Sequence, residues 1–109
     1  MQHRDSIILN KILTEIDLAL EMITGKDFTE FNSSELLKRA ICMTVINIGE
    51  LVKSLSDEIR SEHKQIPWKS IAGFRDIAAH KYQTLQMQDV FHTVTTDFPQ
   101  LKDDITKII

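Results

Sequence analysis

Cysteine, proline and glycine are scarce: one, two and three residues respectively in a chain of 109. A lone Cys42 can neither close an internal disulfide nor build a cysteine-based zinc site. It lies in "LLKRAICMTVINIG", among apolar neighbours and with no base nearby, so a buried, inert thiol is expected. So few prolines and glycines leave little room for long loops. No apolar run is long enough to span a membrane. The opening "MQHRDSIILNKIL" lacks the apolar stretch and small-residue cleavage site of a secretory leader, and a cytoplasmic protein is expected. An excess of positive charge is also missing. The formal net charge is −3, which counts against a generic nucleic-acid coating protein. His3, His63 and His92 are dispersed, with no HExxH spacing for zinc, and there is no glycine-rich phosphate loop. No Gly-x-Ser-x-Gly elbow occurs. The acidic pairs Asp57–Glu58 and Asp103–Asp104 fall at helix ends or on the surface. Neither a metal nor a cofactor is expected.

What is present is a helical pattern in a chain that is 42% hydrophobic and 27% charged, the profile of a globular protein. The stretch "DSIILNKILTEIDLALEMITGK" has apolar residues at 8, 12, 16, 19 and 23, which is helical spacing. Asp5 or Ser6 is expected to cap its start and Gly25 to follow its end. "NSSELLKRAICMTVINIGELVKSLS" opens with Asn32 and carries Glu35 three residues on, the pattern of a capping box. That helix would be about 35 Å long over 24 residues. Gly49 inside it is costly at about 1 kcal/mol against alanine, and points to a close helix crossing. Its neighbour Glu50 is read as solvated rather than facing another helix. "IPWKSIAGFRDIAAHKY" begins a third helix with Pro67 in its first turn and Trp68 plugging the bundle end. "MQDVFHTVTTDF" gives a fourth, with Val90, Phe91, Val94 and Phe98 on one side. Pro99 should break or kink it before a short closing helix, "QLKDDITKII". Met22, Met43 and Met87 read as packing. The expected fold is all-α: an up-and-down antiparallel four-helix bundle with a short fifth C-terminal helix, one domain over 1–109.

The segment "RDIAAHKY" concentrates the chemistry. From Lys53 to Lys81 there are six basic and four acidic residues, against seven and twelve elsewhere, so the motif ends the least acidic part of the chain. Arginine stays charged and stabilises phosphoryl oxygens. Histidine moves protons near neutrality. Together they suit metal-free RNA cleavage, in which a 2′-hydroxyl attacks the adjacent phosphate. At about 100° per residue, Arg75 and Tyr82 nearly eclipse, whereas Arg75 and His80 are about 140° apart. Either the pair is unrelated, or the helix is distorted, or a second subunit completes the site. Asp76 and His80 are four apart and share a face, so Asp76 is a candidate to fix the imidazole tautomer.

The chain resembles the HepT-like family of the HEPN superfamily, small helical ribonuclease toxins of prokaryotes. "RAICMTVINIGELVKSLS" is similar to the family's long second helix. "IPWKSIAGFRDIAAHKY" is similar to its Pro-Trp segment and Arg-x4-His-x-Tyr signature, and "DVFHTVTTDFPQLKDDI" to its closing helices. The resemblance implies a HEPN-like fold, Arg75 and His80 as the catalytic pair, and RNA as substrate. It also implies a homodimer with both motifs in one cleft. Tyr82 matches the tyrosine to which a minimal nucleotidyltransferase antitoxin adds AMP in type VII-like toxin–antitoxin systems. Asp76 stands where the family often has asparagine or another polar residue, and Phe91 where it often has tryptophan. The alternative function is a non-catalytic helical adaptor that binds a nucleotidyltransferase and orients its nucleotide substrate. A small-molecule-binding bundle is the third class.

Overall fold

The computed structural model describes residues 1–109 and contains helices and short connections, with no strand. Helix α1 spans His3–Ile23 and buries Ile8, Leu9, Ile12, Ile16, Ala19 and Ile23, so the apolar spacing in the sequence does become its core face. Gly25 ends it with φ at 74°, a backbone conformation that residues with a Cβ resist. Asp5 does not cap this helix. It is only 1% exposed, and its carboxylate accepts from the Ser56 amide at 2.9 Å and the Ser56 hydroxyl at 2.6 Å. Burial alone would raise its pKa. The two Ser56 bonds, with help from Arg4, outweigh that and hold it below the usual carboxylate value. A partner 51 residues away is invisible to a local capping rule.

Asn32 is likewise not a cap, because it lies inside a short helix, α2, Phe28–Ser33. The capping box falls earlier, on Asp27 and Glu30. Ser34 then caps α3, Glu35–Lys53, through the Leu37 amide. The expected 24-residue helix is therefore 19 residues, about 28 Å at 1.5 Å per residue. Helix α4, Asp57–Glu62, follows, capped by Ser56. Pro67 stands just before α5, Trp68–His80. Trp68 is buried, with its indole N–H donating to the His63 carbonyl at 3.0 Å, and it closes the bundle end as expected.

A 3-10 turn, Tyr82–Thr84, leads to α6, Met87–His92. A π turn, Thr93–Asp97, joins α6 to α7, Phe98–Ile108. Pro99 interrupts neither. The Phe98 amide reaches back five residues to the Thr93 carbonyl, and this wider turn relieves the clash a proline ring makes with the carbonyl four residues before it.

Four rods result: α1, α3, α5 and α6–α7. The Asp5–Ser56 contact fixes the start of α1 at the end of α3, and Lys102 pairs with Asp17 at 2.6 Å between α7 and α1. Leu9, Ile12, Ile16, Ile41, Ile48, Val52, Val90, Val94 and Ile105 are fully buried between them. Phe91 packs with Phe28 and Phe31, ring centroids 5.6 Å from each. Cys42 is buried, and burial pushes its thiol pKa up to about 11, so it stays a thiol at neutral pH. Met22 and Met87 pack against the core. Met43 does not, being 56% exposed. No helix is long and apolar enough to cross a membrane.

Candidate active site on the α3–α5 face

Helices α3 and α5 pack against each other, with a close approach at Gly49. A Cβ at Gly49 would sit 2.7 Å from Arg75 Cγ and 3.4 Å from Arg75 Cα, and closer still to Arg75 Cβ. Only glycine allows this approach, so the close crossing expected from the sequence falls directly beneath Arg75. Glu50 is not a free surface carboxylate, as its sequence context suggested. Its Oε1 lies 2.6 Å from Arg75 Nε. The contact is short but off-axis, and Nε has no well-aligned hydrogen bond; we read it as an ion pair that steers the guanidinium. Arg75 Nη1 donates to Asp76 Oδ1 at 3.1 Å. The side chain of Arg75 is 21% exposed, with Nη2 free of protein partners.

Asp76 makes no hydrogen bond to His80, contrary to the i, i+4 expectation. Its Oδ1 accepts from Lys53 Nζ at 2.7 Å as well as from Arg75. These bonds, Lys53 first, hold its carboxyl below the usual carboxylate range. Two cations therefore occupy the carboxylate that was to orient the imidazole. His80 is the last residue of α5 and is exposed. It sits mid-face among Gly73, Asp76 and Ile77, all exposed, and makes no side-chain hydrogen bond within the chain. Arg75 points sideways over α3 instead. Arg75 and His80 thus share no partner within one copy.

Tyr82 departs from the eclipsed position. The helix stops at His80, because Lys81 takes φ −133° and ψ 35°, and Tyr82 turns toward the start of α3. Its hydroxyl donates to Glu35 Oε1 at 3.1 Å, and the Arg39 guanidinium lies over its ring at 5.0 Å. Glu35 also pairs with Lys38 at 3.3 Å and Arg39 at 2.9 Å. Lys38 first, then Tyr82, holds the Glu35 carboxyl below its ordinary range. Burial, and after it the Glu35 carboxylate, raises the Tyr82 pKa, so the phenol is protonated at neutral pH. The α3 anchors of the two groups, Arg39 for Tyr82 and Glu50 for Arg75, are separated by about 16 Å of helix.

Lys53, Glu35 and Arg39 are partners that sequence reasoning missed. The i, i+4 spacing of Glu35 and Arg39 was the one local signal for a charged cluster there. Exposed apolar side chains stand among these charges: Met43 on α3 and Ile77 on α5 are 56% and 49% exposed, and Leu36 at the start of α3 is 85% exposed. Gly73 adds an open spot, since a Cβ there would meet nothing within 4 Å. Chemically, this face offers a fixed guanidinium for phosphoryl oxygens and an outward imidazole for proton transfer.

Comparison with known proteins places similar chains among ribonucleases by name. A profile of the family described as "Ribonuclease HepT-like" matches residues 12–108. "Putative RNase TTE0752" of Caldanaerobacter subterraneus is 34% identical over 101 residues, covering 93% of this chain and 90% of that protein. "Putative RNase MJ0125" of Methanocaldococcus jannaschii is 32% identical over 110 residues, covering all of this chain and 95% of that one. From the same archaeon, "Gamma-glutamylcyclotransferase and putative RNase MJ0434" is 37% identical over 103 residues, 94% of this chain but 46% of that longer protein. No solved structure matches the chain.

Proposed function

The chain belongs to the HepT-like ribonuclease family, and from that premise we propose that it is a metal-independent endoribonuclease whose Arg75 and His80 meet in a cleft between two copies. His80 takes the proton of a ribose 2′-hydroxyl, which attacks the adjacent phosphorus and expels the 5′-oxygen of the next nucleotide. The Arg75 guanidinium binds the non-bridging oxygens as charge builds on them. The departing 5′-oxygen takes its proton from water, so that one Arg75 and one His80 serve one cleavage. The products are a 2′,3′-cyclic phosphate and a 5′-hydroxyl.

The single observation that carries this reading is the divergence of the pair on α5. Arg75 is held over α3 by Glu50 and Asp76, while His80 faces outward without a partner. A site split in this way needs a second copy to close it. The outward face is suited to one. Met43 and Ile77 are exposed apolar side chains, and Gly73 has open space above it. A helix-interior glycine is destabilising by about 1 kcal/mol, and no contact within the chain accounts for this one. A self-complementary contact there would bury all three groups beside His80.

Regulation belongs to the same reading. Tyr82 is the residue we assign to AMP addition by a minimal nucleotidyltransferase antitoxin, making the pair a toxin and its silencer. An AMP group on the hydroxyl displaces the bond to Glu35 and places a phosphate beside that carboxylate, with Arg39 and Lys38 as its available counter-charges. Bulk and negative charge at the motif's edge then oppose an incoming RNA backbone.

Labelled RNA incubated with purified protein in EDTA tests the proposal. Cleavage to 2′,3′-cyclic phosphate ends, lost in both Arg75→Ala and His80→Ala, is expected. Equal cleavage by all three proteins would assign the activity to a contaminant.

A further inference from the structure

We propose that Gly49 and Glu50 are positioning residues for Arg75: the glycine sets how closely α5 approaches α3, and the carboxylate sets where the guanidinium points. The inference rests on the ribonuclease reading above and concerns how that site is built. Two independent observations carry it. The first is steric. Gly49 is buried, and the three nearest atoms a Cβ would meet are Arg75 Cβ, Cγ and Cα. A side chain at position 49 therefore presses first on Arg75 itself. The second is electrostatic. Glu50 Oε1 lies 2.6 Å from Arg75 Nε, and Asp76 Oδ1 takes Nη1. Lys53 holds that Asp76 oxygen from the α3 side. The guanidinium is thus contacted at Nε and Nη1 by residues of two helices. Nη2, which makes no hydrogen bond within the chain, is left for an anion.

Adjacent residues of α3 perform the two tasks. Position 49 faces the α5 backbone, and position 50, about 100° further round, reaches past it to the side chain. Neither residue touches substrate in this arrangement, so neither is a catalytic residue. Each acts through Arg75. A misplacement near 1 Å at a group that stabilises charge lowers the chemical step by up to about a hundredfold, while substrate still binds through other cations. The signature is a fall in kcat with little change in KM.

The test uses the full chain, with Glu50→Ala, Glu50→Gln and Gly49→Ala compared with wild type. Two readouts are taken: single-site kinetics on labelled RNA, and the nitrogen–proton NMR signal of Arg75 Nε. In wild type that signal is expected to be slow to exchange and assignable by its loss in Arg75→Lys. Glu50→Ala should broaden or remove it, lower kcat about tenfold or more, and change KM less than threefold. Glu50→Gln keeps the shape but removes the charge of the ion pair, and should recover only a small part of the loss. Gly49→Ala should shift the signal and lower kcat similarly. If that variant fails to fold, Glu50→Ala still decides, since it removes a half-exposed side chain from the surface. Wild-type kcat and an unchanged Nε signal in Glu50→Ala, with cleavage still dependent on Arg75, overturn this inference and leave the ribonuclease reading standing. Cleavage independent of Arg75 overturns that reading, whereas the NMR signal still reports whether Glu50 anchors the guanidinium.

Discussion

Two positions on one helix differ sharply in how they are held. At Arg75, residues of α3 and α5 close in from three sides: Gly49 beneath, Glu50 on Nε and Asp76 on Nη1. Five residues later, His80 is exposed at the end of α5 with no hydrogen bond. The difference teaches how a small chain divides its labour. A group that must stabilise charge gains from being fixed before substrate arrives. A group that must exchange protons has to remain accessible, and its geometry is left to whatever packs against the outward face. On the proposed reading, the first half of the site is complete in one copy and the second half is closed by another.

That contrast fails first if the motif is inert. Arg75→Ala and His80→Ala should each lower RNA cleavage by about 10² or more, measured as initial rate at saturating RNA, with melting temperatures near wild type for the exposed His80. A smaller drop for His80 than for any surface lysine would remove it from the chemistry.

A second change strikes the open end alone. Ile77→Arg replaces an exposed apolar side chain beside His80 with a charge that would face its twin. The variant should fold, run as a monomer in sedimentation experiments and lose at least about tenfold in cleavage, because desolvating like charges across an interface is unfavourable. A dimer of unchanged mass would place the contact elsewhere.

Wiring distant from the motif should separate stability from chemistry. Asp5→Ala leaves the Ser56 amide and hydroxyl without their acceptor, and bonds to a charged acceptor contribute about 1.5–3 kcal/mol. Denaturant melts should show a loss in that range with cleavage per folded molecule unchanged. The pH dependence has a definite sign. The folded pKa of Asp5 is depressed, so its contribution is present in full above the unfolded value near 3.9. It is lost as pH falls through the lower folded value. Asp5→Asn should therefore lose less relative to wild type in acid than at neutral pH.

The smallest effect belongs to Tyr82→Phe. Its hydroxyl makes one exposed bond, to Glu35, so stability should change by less than about 1 kcal/mol. Incubation with the proposed nucleotidyltransferase antitoxin and ATP should add AMP-sized mass to wild type and none to the variant. Equal mass gain would put the modified residue elsewhere.

The elements legible in the sequence are those decided locally. The apolar spacing of α1, the stop at Gly25, the close crossing at Gly49 and the plug at Trp68 each follow from one residue and its neighbours. What escaped was decided by distant partners. Asp5 looked like a cap because Ser56 lies 51 positions away. Glu50 looked solvated, and Asp76 looked free for His80, because the α3–α5 crossing that engages both is tertiary. Met43 looked like core because helical spacing does not reveal which face lacks a neighbour. Pro99 looked like a break because a π turn is a backbone adjustment that no residue type announces. Tyr82 looked eclipsed with Arg75 because the helix was assumed to continue two residues beyond His80. The motif itself was legible in composition, and its division between fixed and open ends was not.

Mixed dimers measure that division most directly. Arg75→Ala and His80→Ala chains, each inactive alone, are co-expressed with different tags, and the mixed species is isolated and assayed on labelled RNA. A cleft built across two copies contains, in the mixed dimer, one intact pairing of Arg75 from one chain with His80 from the other. Cleavage should return to a substantial fraction of wild type, up to about half, since one of two pairings survives. Mixed dimers that stay at the level of the two parent variants, while mixed dimers of wild type with either variant cleave normally, would show that each chain holds a self-sufficient site and would contradict the account.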